Sequence, residues 1–294
     1  MVRRDYDRAG VRRVLVVILI LNLVVCLAKL TVGLMAQSLA IVSDGVHSSI
    51  DAFNNIFGIV LLRMAAKEPD ADHPYGHGKI ETLGAFSIVG FMLITCYEIV
   101  KQASMRLIGG ETPEFDISAL TFVVMGTTLV VNIFVVFYEK AMARRYSSEF
   151  LYADAVHTQS DVMVTISVLA GLPLVLRGYV FIDGLLALII SGLIAYSGYQ
   201  VLKKTVPVLL DAAAVDEGVV RSVALGVPAV VAVHDIRSRK LGGHNFVEMI
   251  LVVSENDLRE AHDITEQIET AMVERIGPAS ITIHIEPAST IASR

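Results

Sequence analysis

The sequence predicts a bundle of six membrane-crossing α-helices followed by a small α+β domain, and three observations carry that prediction. Of the 294 residues, 54% are apolar and only 18% charged, with a mean hydropathy of +0.63; soluble domains carry about 25% charged residues. Six apolar stretches reach or approach the roughly 20 residues that a helix needs to cross a hydrocarbon core. The excess charge is confined to the end of the chain. Residues 207–294 hold 7 Lys and Arg against 13 Asp and Glu, while the first 206 residues balance at 17 of each. This composition argues against a soluble enzyme, a disordered chain or a nucleic-acid binder, because an acidic tail repels nucleic acid and attracts cations.

The chain divides into a basic N-terminal segment (1–13), a helical membrane domain (14–206) and a tail domain (207–294). The six stretches run 14–35, 39–62, 83–108, 117–138, 152–176 and 179–202. The first is too long, and lacks the small-residue cleavage site, to be a signal peptide. The fourth carries no charge. The second and fifth carry acids and histidines, so their hydropathy is weaker. Cys26 and Cys96 sit in apolar runs and read as small interior residues, not as a disulfide or a thiolate metal site. Placing the N-terminus inside puts 13 Lys and Arg on the inner segments, among them Arg12, Arg13, Arg63, Lys140 and Lys203, against Lys101, Arg106 and Arg177 on the outer ends. That asymmetry sets the orientation, and six crossings return the tail to the cytoplasm.

In the tail the periodicity changes. Residues 215–225 read as a short helix; 230–239 and 246–253 are rich in β-branched residues and read as strands. Ser254 is a candidate cap for a helix over 257–276, which Gly277-Pro278 would stop. A last strand spans 281–285. The order αββαβ predicts a small sandwich.

The sharpest chemical signal is an internal echo. The second stretch holds Asp44-Gly-Val-His47-Ser-Ser-Ile-Asp51 and the fifth Asp154-Ala-Val-His157-Thr-Gln-Ser-Asp161. Positions i and i+4 share a helix face, so each helix offers an imidazole and a carboxylate on one stripe, with Asp44 and Asp154 one turn earlier as possible supporting groups. Ionisable groups inside a bilayer face the bundle interior or a watered cavity. Two His and two Asp make an N₂O₂ set suited to Zn²⁺ and related ions, and its charge offsets one divalent cation. The alternative, acids paired with basic residues as helix glue, has only Lys29 as a deep basic partner.

A second cluster, Asp70, His73 and His77, lies between the second and third stretches in Asp70-Ala-Asp-His73-Pro-Tyr-Gly-His77-Gly-Lys79. Its glycines and proline favour turns that gather side chains. A third lies in the tail, which holds His234, His244, His262, His284 and Glu286. Four of the eight histidines are in this acidic domain, a partition that points to a regulatory metal site.

These residues carry a resemblance to the cation diffusion facilitator family of metal-ion/proton antiporters. It rests on Gly33-Leu-Met-Ala-Gln-Ser38, the two H-x-x-x-D repeats and the H-P-Y-G-H-G-K loop, and covers almost the whole chain. The resemblance implies six helices, a metallochaperone-like cytoplasmic domain and a two-fold homodimer. It implies a transport site at His47, Asp51, His157 and Asp161 and a loop site at Asp70, His73 and His77. It further implies a dimer-interface binuclear site at His234, His262, His284 and Glu286, and a salt bridge between Lys79 and Asp211 that ties the helices to the tail. The chain departs from the family at His47, where bacterial iron and zinc carriers often have Asp, and at Ile250, where the resembling proteins have a strand histidine. His244 and Glu248 are the candidates to compensate there. No long histidine-rich loop follows the fourth stretch, so the style is bacterial.

The expected function is therefore export of divalent transition metal, zinc first, with iron, cadmium, cobalt and manganese as alternatives, from the cytoplasm in exchange for protons. No phosphate-binding G-x-x-x-x-G-K-[ST] loop is present, so a gradient must supply the energy. No cofactor is expected; zinc is substrate and regulatory ligand. The expected partners are a second copy of the chain, divalent metal ions, protons and membrane lipid, with no nucleic acid. The expected location is a bacterial inner membrane with both termini cytoplasmic. The rival readings are a membrane metalloenzyme, which would need a general base as in H-E-x-x-H, and a membrane-anchored metal sensor or scaffold.

Overall fold

The computed structural model describes residues 8–35, 39–109, 119–177, 179, 181–241, 243–254 and 257–289. Six long helices come first: α1 (Arg8–Met35), α2 (Leu39–Ala65), α3 (Lys79–Gly109), α4 (Ala119–Tyr146), α5 (Glu149–Leu176) and α6 (Phe181–Leu209). Among the described residues, α1, α3, α4 and α6 are long and apolar enough to cross a membrane. The other two, α2 and α5, are the helices that carry the acid–histidine echo.

Each predicted stretch lies within or nearly within one helix, but most helices run further than predicted. Thus α1 starts at Arg8, α3 at Lys79 and α5 at Glu149, while α4 continues to Tyr146 and α6 to Leu209. Apolarity ends where the hydrocarbon ends; a helix ends where its backbone groups find other partners. The start of α5 shows this. The Ser148 hydroxyl accepts a hydrogen bond from the Leu151 amide at 3.2 Å and donates to Glu81 Oε1 at 2.5 Å, so the first turns of α3 and α5 are joined.

Within this bundle α1 packs along α2, α4 along α5, and α3 against both α2 and α5. The close approach of α2, α3 and α5 depends on two glycines around one ring. Phe150 is fully buried. A Cβ on Gly58 would stand 2.3 Å from Phe150 Cε1, and one on Gly84 would stand 3.0 Å from Phe150 Cδ2. Small residues of this kind let membrane helices approach and gain van der Waals contact where no hydrophobic drive separates helix from lipid. Both cysteines are free, and each thiol donates to a backbone carbonyl across a helix interface: Cys26 to Gly45 and Cys96 to Ser191, each at 3.3 Å. Large apolar side chains, including Ile20, Val24, Leu27, Phe134, Phe137 and Leu193, face outward, as lipid-facing helices require.

Contacts divide the chain into two compact units at Val206 and Pro207. The second contains α7 (Glu217–Ala224), β1 (Val230–Leu241), β2 (His244–Val253), α8 (Leu258–Ile276) and β3 (Ala279–Pro287), in the predicted αββαβ order. The sheet order is β1-β2-β3, with β1 antiparallel and β3 parallel to β2. Alternate residues Val247, Met249, Leu251 and Val253 face a core closed by Val220 of α7 and Ile264, Ile268 and Met272 of α8. The predicted cap of α8 is corrected. Asp257, not Ser254, accepts from the Arg259 and Glu260 amides, because only a side chain at the residue before the first turn reaches those orphan donors. Ser254 bonds back to the Ala229 carbonyl instead.

Candidate functional site

The two echo helices bring their polar stripes together. Asp51 on α2 and His157 and Asp161 on α5 offer ligand atoms that all lie within 4.8 Å of one another. His157 Nε2 stands 3.6 Å from Asp51 Oδ1 and 4.0 Å from Asp161 Oδ2. Ligand atoms at tetrahedral zinc, with bonds near 2.0–2.2 Å, are about 3.4 Å apart, so the three stand slightly wider than a bound ion would draw them. Asp51 Oδ1 is buried with no hydrogen-bond partner. A buried carboxylate oxygen without a hydrogen bond is costly, and a cation between it and His157 would satisfy it. His47 and Asp44 fall on α2, but their side chains lie outside the described residues.

Asp154 does not join the three. Its Oδ2 accepts from Asn55 Nδ2 at 3.0 Å, and Asn55 Oδ1 accepts from Asn22 Nδ2 at 2.8 Å, which links α5, α2 and α1. Glu139 on α4 is fully buried, and its Oε2 accepts from the Thr158 hydroxyl at 3.4 Å. Asn54 Nδ2 lies 3.5 Å from His157 Nε2. The Lys29 ammonium donates to Ser48 Oγ at 2.9 Å. Sequence reasoning missed Asn22, Asn54, Asn55 and Glu139. The two adjacent asparagines one turn after Asp51 were the available signal.

The loop cluster is also assembled. Asp70 Oδ1 accepts from the amides of Asp72 at 3.1 Å and His73 at 2.7 Å, an Asx turn that fixes the carboxylate. His73 Nδ1 lies 3.3 Å from Asp70 Oδ1, and His77 Nε2 3.3 Å from Asp70 Oδ2. Gly76 sits at φ 83°, a conformation that glycine adopts without strain. Chiefly the His73 amide, and then the neighbouring His77, hold the Asp70 carboxyl below the ordinary carboxylate range. A lowered value means the anion's contribution is present above the ordinary range and fades only as pH falls through the lowered one. Asp70 is therefore a ready ligand at neutral pH. His77 Nδ1 is buried and unpartnered.

In the tail, His234 and His284 flank Ile250 in one row across the sheet. His234 Nε2 lies 4.0 Å from Glu286 Oε2 and its Nδ1 3.1 Å from Asp235. His262 stands on the exposed face of α8, 69% exposed, beside Glu266 at 3.7 Å. Among the described residues, no three ligands of one tail converge. His244 donates to or accepts from Ser280 Oγ at 2.9 Å. Asp211 stands 3.7 Å from Arg239 Nη1, and Lys79 is the first residue of α3.

Comparison with known proteins agrees with this layout. Residues 15–210 match the cation efflux transmembrane domain, and residues 213–288 match the cytoplasmic dimerisation domain of cation efflux proteins. The chain is 30% identical to the uncharacterized transporter MJ0449 of Methanocaldococcus jannaschii, over 94% of this chain and 98% of that one. It is 29% identical to the cation-efflux pump FieF of Cronobacter sakazakii, over 98% and 96%. It is 27% identical to the manganese efflux system protein MneS of Bacillus subtilis, over 90% and 91%. With its outward apolar helices, its paired acid–histidine stripe and these two domain matches, the chain belongs to the cation efflux family and is an integral membrane transporter of divalent metal cations, not an enzyme.

Proposed function

We propose that the protein exports zinc, in preference to other divalent transition metals, from the cytoplasm in exchange for protons. The carrying observation is the convergence of Asp51, His157 and Asp161 around an orphaned carboxylate oxygen. His47, one turn before Asp51 on the same stripe, is proposed as the fourth ligand. An imidazole-and-carboxylate set favours zinc over manganese, which prefers oxygen. Metal binding needs neutral histidine, and histidine exchanges a proton in the physiological range. Metal loading and proton loading therefore compete, and rocking of the bundle between inward- and outward-open forms turns that competition into antiport.

All six long helices are proposed to cross the membrane. For α2 and α5, which carry the acids and histidines, 27 and 28 residues at 1.5 Å each reach about 40 Å, enough for a hydrocarbon core of about 30 Å. Their polar groups turn inward, where charge is tolerated. The proposed orientation, with both termini cytoplasmic in a bacterial cell membrane, follows the Lys and Arg asymmetry. Zinc uptake into proteoliposomes, with and without an imposed pH gradient and with competing cations, tests the reading. Uptake indifferent to the gradient would refute proton exchange.

Selectivity gives a sharper expectation. His47→Asp replaces a nitrogen ligand by an oxygen, so the cadmium-to-zinc and manganese-to-zinc transport ratios should rise. An unchanged ratio would mean that position 47 does not discriminate.

The tail is proposed as a zinc-responsive homodimer contact. Two tails of net charge −6 repel, and bridging cations relieve that repulsion while adding ligand bonds. Because no three of His234, His262, His284 and Glu286 gather in one chain among the described residues, the proposed complete shell draws ligands from the second copy. With Ile250 between the two strand histidines, fewer or weaker ions are expected than in a site with a histidine there. His234→Ala and His284→Ala should each blunt the rise of transport with cytoplasmic zinc while leaving basal transport. Activation curves that superimpose on wild type would exclude a regulatory tail site.

A further inference from the structure

One buried amide beside the metal cluster has no assigned task. Asn54 lies three residues after Asp51 on α2, on the same helix face, and is 2% exposed. Its Nδ2 stands 3.5 Å from His157 Nε2. Its Oδ1, like Asp51 Oδ1, is buried without a hydrogen-bond partner. The next residue is used differently. Both ends of the Asn55 amide are engaged, the nitrogen by Asp154 Oδ2 and the oxygen by Asn22 Nδ2. Asn55 is thus accounted for as a link between helices, and Asn54 is not. A buried amide oxygen without a donor is costly, and an apolar side chain at this position would avoid that cost.

The distances match a coordination shell. His157 Nε2 is 3.5 Å from the Asn54 amide and 3.6 Å from Asp51 Oδ1, close to the separation of about 3.4 Å between ligand atoms at a tetrahedral zinc ion. The amide therefore stands where a ligand would stand relative to Nε2, but it presents its nitrogen, which is a donor and not a ligand. That nitrogen can donate to Nε2 only while the imidazole keeps its lone pair, and a bound metal takes the lone pair. The donation must then end. A half-turn about the last torsion of asparagine, which is broad and roughly two-fold, exchanges the two ends of the amide. It carries the unpartnered oxygen to the place facing the cluster and takes the nitrogen away from it.

We propose that Asn54 is a further ligand of the transport site: its Oδ1 turns onto the bound divalent ion, raises the shell of His47, Asp51, His157 and Asp161 from four ligands to five, and sets how well the site holds oxygen-preferring ions such as Mn²⁺ against Zn²⁺. This rests on the reading of those four residues as the transport site and deepens it by naming a selectivity-determining residue. The added ligand is neutral, so two carboxylates still offset one divalent ion. Zinc is at home with four ligands and accepts a fifth, so it loses less when Asn54 is removed. Manganese suits carbonyl and carboxylate oxygen in larger shells, so it loses more.

The test uses full-length protein with Co²⁺, Zn²⁺ and Mn²⁺ as probes. Co²⁺ reports its coordination number in visible absorption, which is strong in a tetrahedral shell and weaker in a five-coordinate one. Subtracting the spectrum of Asp161→Ala removes ions held by the loop and the tail. Wild type should give the weaker, five-coordinate difference spectrum and Asn54→Ala the stronger, tetrahedral one. Asn54→Asp keeps an oxygen at the same place and should remain five-coordinate. The manganese-to-zinc uptake ratio in proteoliposomes should fall at least about tenfold in Asn54→Ala, the lower end of what loss of a group supporting a metal ligand costs, and should not fall in Asn54→Asp. A tetrahedral spectrum in wild type overturns the proposal even if no variant folds. Asn54→Ala with the spectrum of wild type overturns it, and so does an unchanged manganese-to-zinc ratio. If wild type and Asp161→Ala give the same spectrum, no ion sits between α2 and α5 and the reading of the transport site fails. If they differ while Asn54→Ala matches wild type, only the present proposal fails.

Discussion

Asp51→Ala and Asp161→Ala are each expected to abolish metal transport while leaving the protein folded. Each removes one ligand and one negative charge from a site whose donors converge from α2 and α5. Loss of groups that merely support metal ligands costs about 10–100-fold in affinity or activity; loss of a ligand itself should exceed about 100-fold. The stability of the two states should move differently. Asp51 Oδ1 is buried without a hydrogen bond, with His157 Nε2 at 3.6 Å, so Asp51→Ala removes an under-satisfied carboxylate and its desolvation penalty. In the absence of metal it should melt no earlier than wild type. Zinc should raise the melting temperature of wild type and not of either variant. The measurements are zinc uptake in proteoliposomes and thermal unfolding with and without zinc. Wild-type uptake in either variant would remove these residues from the transport site.

Gly58→Val is expected to fail differently, through the fold. Even the first added carbon would stand 2.3 and 2.4 Å from Phe150 Cε1 and Cζ and 3.2 Å from Leu15 Cδ1. The ring has nowhere to retreat, because Gly84 lies against its other edge and a Cβ there would already be within 3.0 Å of Cδ2. Overpacking of this kind typically costs 1–3 kcal/mol and occasionally more, and the branched valine adds two further carbons. Gly58→Val should lower the melting temperature strongly or abolish monodisperse protein, and Gly58→Ala should do so less. Phe150→Leu should partly rescue Gly58→Ala, giving a coupling that separate substitutions at distant sites do not show. Gly58→Val protein with the melting temperature of wild type would show that this approach of α2 to α5 is not tight in the working molecule.

The sequence was most legible where one physical rule dominated. Six apolar stretches and a switch to β-branched alternation gave the helices and the tail order, since burial in lipid and burial on a sheet leave different periods. The convergence of Asp51 with His157 and Asp161 was legible because the two acids repeat one spacing from a histidine, and i,i+4 geometry holds in any helix. Helix ends were not, as α3 beginning at Lys79 and α5 at Glu149 depends on the Ser148–Glu81 contact between distant segments. Glu139 was hidden by its neighbours: it follows Tyr138 at the edge of an apolar stretch and precedes Lys140, and so reads as an interfacial charge. His262 could not be separated from His234 and His284 by spacing, because only the packing of α8 on the sheet decides which histidines share a side. Ser254 and Asp257 are both good caps by type, and the first helical residue, Leu258, decided between them.

The loop cluster and the intramembrane cluster differ in how much chain must be organised before they exist. Asp70, His73 and His77 lie within one short segment, and their geometry is held by that segment's own amides. Closing a loop of this length takes on the order of 10–100 ns and needs no other helix. Asp51 and His157 are separated by on the order of 100 residues, and the entropy of joining such distant segments must be overcome before they meet. Their cluster exists only once α2 and α5 have packed. A metal ion bound there is bound to the assembled bundle alone and stabilises it by mass action. One held by the loop is available to folded and partly assembled chains alike and favours neither. An ion that binds both clusters during biogenesis would thus be a folding ligand at one and a bystander at the other.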